Sequence, residues 1–243
     1  MLRAVAKRSL PDEVFEQLTA EIVSGRYEPG AMIPSERELS AILAVNRHVV
    51  REAIKRLEQI GLVSVAQGGR TQVLDYRQTA GLDLLAILAE QQGAVEANLP
   101  LFAGTLEMRA GIGVDVARLC AQRSGSDVHD DLLEISAQLA GVGEGDELLA
   151  LDQRFWQRML DGAGNLAYQL AFNSLIRAVH AQHDLSVTWL EQELKRSDYR
   201  RPIAAAIAAR DPDGAATVAR DALAPSEHGP LPVAARATRP MKS

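Results

Sequence analysis

Apolar residues recur at helical spacing along nearly the whole chain and give way to alternation only once, between Leu62 and Leu74. Such a pattern admits one short hairpin among helices and excludes a fold built on a large sheet. Three helical stretches precede the hairpin. The first carries Val14, Phe15, Leu18 and Ile22 on one face and stops at the Gly- and Pro-containing run Gly25–Gly30. The second opens on Ser35 and Glu38, a Ser-x-x-Glu capping box that satisfies free amides at a helix start, and runs to Leu43. Asn46 caps the third, which has an inner stripe of Val50, Ala53, Ile54 and Leu57 and ends near Ile60, with Gly61 at the stop position. Leu62–Val65 then reads as a strand, Gln67-Gly68-Gly69-Arg70 as a turn and Thr71–Leu74 as the return strand.

Helix, helix, helix, hairpin is the order of a winged helix-turn-helix. From Arg77 onward no strand pattern occurs. Helices are predicted near residues 78–92, 99–123, 127–140, 145–161, 165–189, 192–210 and 213–223, separated by short Gly- and Asp-rich turns that imply antiparallel neighbours. The expected fold is mainly α. A winged helix-turn-helix spans residues 1–76 and an all-α antiparallel bundle spans 77–224. Residues 225–243, with four prolines and no periodicity, read as a disordered tail. With 47% apolar but only 4% aromatic residues, the core must be built from aliphatic side chains.

No apolar run reaches the roughly 18 residues of a membrane span, and the first 15 residues lack the apolar centre of a secretion signal. Cys120 is the single cysteine, so an internal disulfide is impossible; its apolar neighbours Val116, Ala117 and Leu119 point to a buried thiol in a reducing cytoplasm. The net charge of −6 argues against nucleic acid at first sight. The charge is uneven, however: residues 1–76 hold ten basic and ten acidic side chains, residues 77–224 hold 13 and 21. Any DNA binding therefore rests on a few well-placed arginines. No nucleophile–base pair, phosphate loop or carboxylate dyad is spaced for catalysis, so an enzyme is not expected.

The third helix offers such placement. Arg47, Arg51 and Lys55 follow i, i+4, i+8 spacing opposite its apolar stripe. Arginines near a helix start can bond guanine edges bidentately, and the helix N-terminus presents free amides to phosphate. The same spacing also suits an ordinary solvated amphipathic helix, and spacing alone leaves both readings open.

The stretch PGAMIPSERELSAILAVNRHVVREAIKRLEQIGLVSVAQGGRT resembles the winged-helix signature of GntR-family transcriptional regulators over about residues 10–74. The resemblance implies DNA contacts by Arg37, Asn46, Arg47, His48 and Arg51 and by the wing residues Gln67, Gly68 and Gly69. Ile33 stands where the family usually has Leu, and Val49 where it has a small hydroxyl residue, which removes one phosphate contact.

The helical region resembles the FadR subfamily, the GntR regulators with an FCD-type effector domain, through Glu107-x-Arg109, Asp152-x-x-Phe155 and Gly164-Asn165. Most members hold a metal with one Asp and three His. Here Asp152 remains, but Trp156, Arg200 and Ala222 stand at the three His positions, so neither metal nor cofactor is expected. His180 and His183 at i, i+3 read as polar or partly buried histidines rather than ligands. Thr79-x-Gly81-Leu82, Leu151-Asp152, Phe155, Gly164-Asn165, Tyr168 and Asn173 resemble the acyl-CoA-responsive members of the subfamily. That likeness implies a fatty acyl-CoA or related lipid bound by Arg109, Asp152, Asn165, Tyr168, Asn173, Arg177 and His180. Leu170, Phe172, Leu175, Ile176 and Val179 would face its tail. Pro225 ends the last helix early, so contacts from a longer C-terminal helix do not carry over. The alternatives are a small carboxylate or sugar acid held without metal, and a vestigial pocket. The resemblance further implies a homodimer on a pseudo-palindromic double-stranded operator in the cytoplasm, with no membrane partner.

Overall fold

The computed structural model describes residues 9–66, 69–90, 95–142, 145–181 and 199–223. Gln67, Gly68, His183, much of the expected 192–210 helix and the 225–243 tail lie outside the described residues, as does the side chain of His180. The chain divides into two compact units, Met1–Leu84 and Leu85–Ser243.

The first unit is built from α1 (Leu10–Val23), α2 (Glu36–Ile42), α3 (Arg47–Gln59), β1 (Val63–Val65), β2 (Thr71–Val73) and α4 (Tyr76–Thr79). Its helix starts are set by local side chains. Ser9 and Asp12 form a capping box on α1, Ser35 and Glu38 form one on α2, and Asn46 caps α3. Val14, Phe15, Leu18 and Ile22 of α1 are buried, as are Val50, Ala53, Ile54 and Leu57 of α3, and the two helices pack together. Strands β1 and β2 pair antiparallel, with Val63 opposite Val73. Residues 30–33 border the free side of β2: Ile33 N–H donates to Thr71 O at 3.0 Å and Val73 N–H donates to Ala31 O at 2.9 Å.

The unit runs past the Asp75–Arg77 stretch where the sequence places its end. Thr79 Oγ1 donates to Gly61 O at 2.7 Å, which ties the segment after the hairpin to the end of α3. Gly61 has φ +77°, and a Cβ there would stand 2.5 Å from Thr79 O, so both conformation and space require glycine. The expected helix over 78–92 is accordingly two: α4 ends at Thr79, Ala80 is extended, and α5 (Asp83–Glu90) follows.

The second unit holds α6 (Val95–Arg123), α7 (Ser126–Gly141), α8 (Asp146–Ala163), α9 (Leu166–Ala181), α10 (Arg200–Ala208) and α11 (Pro212–Leu223). Helix α6 begins at Val95 rather than near residue 99. It is the central helix, packing against α8, α9, α10 and α11, while α7 packs against α8 and α10. Among the described residues the core is aliphatic around four aromatics, Phe155, Trp156, Phe172 and Tyr199. Two glycines let the helices approach closely. A Cβ on Gly162 would stand 2.6 Å from Cys120 Sγ, and one on Gly113 would stand 2.8 Å from Trp156 Cη2. No helix among the described residues is long and apolar enough to cross a membrane.

Candidate functional site

In the first unit, α3 separates its residues cleanly into two faces. Val49, Val50, Ala53, Ile54 and Leu57 are buried, whereas Arg47, His48, Arg51 and Lys55 are exposed. Asn46 Oδ1 accepts from Val49 N–H at 3.0 Å, fixing the helix start and leaving the amide NH₂ for another partner. Val49, which takes the place of a small hydroxyl residue, is buried and packs inward. Arg37 on α2 is exposed as well. At the wing, Ala66 N–H donates to Arg70 O at 2.9 Å and Gly69 has φ +75°, the left-handed geometry of a tight hairpin tip.

A contact absent from the sequence reading joins α2 to α3. Arg51 Nε donates to Glu36 Oε1 at 3.0 Å and Arg51 Nη2 to Glu36 Oε2 at 2.8 Å. The hydrogen bond from Arg51 holds the Glu36 carboxyl below the usual carboxylate range, and the charges of Arg51, Arg47 and Lys55 add to it. Lys55 is itself paired with Glu52 at 2.9 Å. No local signal announces the Arg51–Glu36 pair, because its members are 15 residues apart in the chain.

In the second unit, Asp152 and Arg200, two of the residues at the expected metal positions, form a buried polar cluster with Arg109 and Tyr199. Arg200, at the start of α10, is 0% exposed and donates from both Nε (2.8 Å) and Nη2 to Asp152 Oδ1 on α8. Arg109 on α6 approaches the other oxygen of Asp152 at 3.7 Å, donates to the Tyr199 hydroxyl at 2.8 Å, and lies 4.7 Å over the ring of Trp156. Asp152 thus meets guanidinium groups where a metal ion would need further donors. A guanidinium has no lone pair to give, and no group of three His, Cys, Asp or Glu side chains that could hold a metal occurs among the described residues. The residues do not fit a metal.

Of the seven expected ligand residues, the structure brings together Arg109 and Asp152. Asn165 Oδ1 instead accepts from Ala167 N–H and Tyr168 N–H, capping the start of α9. The Tyr168 hydroxyl donates to Asp115 Oδ2 at 3.0 Å, a bond that raises the phenol pKa. Asn173 and Arg177 are exposed, and Arg177 donates to Ser174 Oγ at 3.2 Å. Phe172 and Leu175 do face inward, but Leu170 is 58% exposed. Together with Arg109, Ile112, Gly113, Val116, Trp156 and Leu160, Phe172 and Leu175 line a chamber of about 10 Å³, room for one water molecule at most. The sequence reading missed Tyr199, since only the fold brings α10 to α6. It also missed Gly113, whose signal was present: Gly111 and Gly113 lie within a long helix, where each costs about 1 kcal/mol relative to Ala.

Residues 10–73 match the model of bacterial regulatory proteins of the gntR family, and residues 105–224 match that of the FCD domain. Across 91% of this chain and 92% of its relative, the sequence is 38% identical to the HTH-type transcriptional regulator Mce2R of Mycobacterium tuberculosis (strain CDC 1551 / Oshkosh). The chain belongs to the GntR family of transcriptional regulators. It is also similar to the fatty acid metabolism regulator protein of Edwardsiella ictaluri (strain 93-146), at 31% identity over 66% of this chain and 65% of that protein. Among solved structures, "Streptococcus agalactiae GntR" aligns over 88% of this chain and 97% of its own at 24% identity, with a TM-score of 0.42. This GntR-family chain therefore pairs a DNA-binding head with an FCD effector domain, and its relatives are regulators rather than enzymes.

Proposed function

We propose that the chain is a cytoplasmic, homodimeric regulator that reads a pseudo-palindromic operator through α3 and the wing. We further propose that a fatty acyl-CoA or related lipid entering the helical domain beside Arg109 controls it. A two-fold dimer presents two equivalent heads, hence two half-sites. Arg37, Asn46, Arg47, His48 and Arg51, with Gln67, Gly68 and Gly69 of the wing, would make the DNA contacts.

The lipid reading is carried by the lining of the α6–α8–α9 chamber. Ile112, Gly113, Val116, Trp156, Leu160, Phe172 and Leu175 are its walls, with the Arg109 guanidinium at one side. An apolar wall with one cation suits a hydrocarbon carrying a polar or anionic head, and offers little to a polyhydroxylated acid. Similarity to fatty acid metabolism regulators supports the same class. A chamber of about 10 Å³ cannot hold an acyl chain as it stands, so binding must displace Phe172 and Leu175 on α9. That displacement is the kind of differential interaction a ligand needs in order to shift a conformational equilibrium. Asn165, Tyr168, Asn173, Arg177 and His180 would then act at the mouth, where α9 moves.

The small chamber also favours a second reading, a small carboxylate bound by Arg109 and Tyr199 without metal. Thermal unfolding and operator titration with acyl-CoAs of graded chain length separate the two. A long-chain ligand should raise the melting temperature and change operator affinity, more so with length, since each buried CH₂ contributes about 0.8 kcal/mol. No response to any chain length, with a response to short carboxylates, would overturn the lipid reading. Arg47→Ala tests the DNA surface: it should reduce operator affinity by about 1–3 kcal/mol per lost base contact and leave melting unchanged.

A further inference from the structure

Arginine reads DNA in two ways. It can neutralise phosphates at any sequence, or it can aim the fork of its guanidinium at a guanine edge. Which of these an exposed arginine does depends on how it is held. Arg47 and Arg51 stand on the same exposed face of α3, but Arg51 is gripped. Its Nε and Nη2 donate to the two oxygens of Glu36, the first residue of α2, at 3.0 and 2.8 Å.

The grip has a geometric consequence. A guanidinium has five N–H donors. Glu36 takes one from Nε and one from Nη2, along one edge. The remaining Nη2 hydrogen and the Nη1 hydrogen parallel to it lie along the end edge, the pair of nitrogens that matches the O6 and N7 acceptors of guanine. The electrostatic consequence is separate. The carboxylate cancels the charge of Arg51, so the pair as a whole is not drawn to phosphate. Arg51 keeps 56% of its side-chain surface in solvent while paired, so the grip does not hide the free edge.

We infer that Glu36 is a specificity-determining positioning residue, which holds Arg51 as a base reader and keeps it from acting as a phosphate contact. The inference rests on the proposed operator-reading role of α3 and adds to it a residue on α2 that itself touches no base.

The test uses the full-length chain and two duplexes, one selected from a random-sequence pool by the wild-type protein and one of shuffled sequence. Affinities are measured across a salt series for wild type, Glu36→Gln, Glu36→Asp and Arg51→Lys. Glu36→Gln releases Arg51 with its charge intact. Affinity for the shuffled duplex should therefore rise, with the salt slope steeper by about one unit for the added phosphate contact. The ratio of selected to shuffled affinity should fall roughly fivefold or more, the low end of what a bidentate guanine contact contributes. Glu36→Asp keeps the charge on a shorter arm and should recover part of that ratio. Arg51→Lys keeps a cation beside Glu36 but without a fork, and should lower the ratio without steepening the salt slope. A merely structural role for Glu36 would lower melting and weaken both duplexes alike, leaving slope and ratio unchanged; that result overturns the inference while the operator reading stands. Failure of the wild type to enrich any duplex overturns the operator reading and this inference with it.

Discussion

Gly113 and Trp156 compete for one volume. A Cβ on Gly113 would stand 2.8 Å from Trp156 Cη2 and 2.9 Å from Cζ3, with Leu223 Cδ1 at 2.7 Å. The Leu223 methyl can rotate aside, but the indole is rigid and 2% exposed. Overpacking costs about 1–3 kcal/mol and Gly-to-Ala in a helix returns about 1. Gly113→Ala should therefore lower the urea midpoint, and the same change in a Trp156→Leu background should be neutral or stabilising. A more stable Gly113→Ala single variant would contradict the close packing of α6 on α8.

Breaking the Arg200–Asp152 pair should be the most damaging single change in the second unit. Arg200→Met leaves the Asp152 carboxylate 7% exposed without its main partner. Losing one member of a buried pair costs about 3–5 kcal/mol. Chemical denaturation should register that loss, and Arg200→Met with Asp152→Leu should recover part of it. A loss below about 1 kcal/mol, the scale of an exposed pair, would mean the pair is not held in the interior.

Ala44 carries φ +52° in the turn between α2 and α3, where an L side chain is strained. The position is exposed, so nothing packs on its methyl. Glycine relieves the strain at the cost of a looser unfolded chain, with a net gain of about 1 kcal/mol. Ala44→Gly should raise the unfolding midpoint of the first unit. An unchanged or lower midpoint would show the turn to be relaxed with alanine.

Cys120 is 0% exposed, and burial pushes its thiol from 9.0 up to about 11. The folded state thus holds its proton more tightly than the unfolded state. The stabilisation is fully present below pH 9 and is lost as the pH rises from there through about 11, while the unfolded thiol ionises first. Iodoacetamide at pH 8, followed by intact mass, should modify Cys120 only at the rate of unfolding. Rapid labelling of folded protein would refute the burial.

What could be read from the sequence is what local hydrogen bonding dictates. Ser35, Asn46 and Gly69 act within a few residues of themselves, so the first three helices and the hairpin were legible. The helix expected over 78–92 was not, because Thr79 takes its partner from Gly61, 18 residues back. The effector domain follows the same division. Helix periods survived into the structure, yet Arg109 meets Tyr199 across 90 residues and Arg200 meets Asp152 across 48, distances over which spacing carries no information. Helix α9 read as a cavity wall along its length. Asn165 instead caps it, and Leu170 faces solvent because the apolar stripe is narrower than the count of apolar residues suggests.

The Arg200 guanidinium is a cation that is made with the chain. An ion borrowed from solution can be withdrawn by a chelator, exchanged for a competitor, or missing when the cell is starved of it. A side chain is present in every copy at fixed stoichiometry from the moment of folding. With Asp152 bound to Arg200, this pair has no exchangeable part, and its contribution to the second unit is independent of the supply of trace elements.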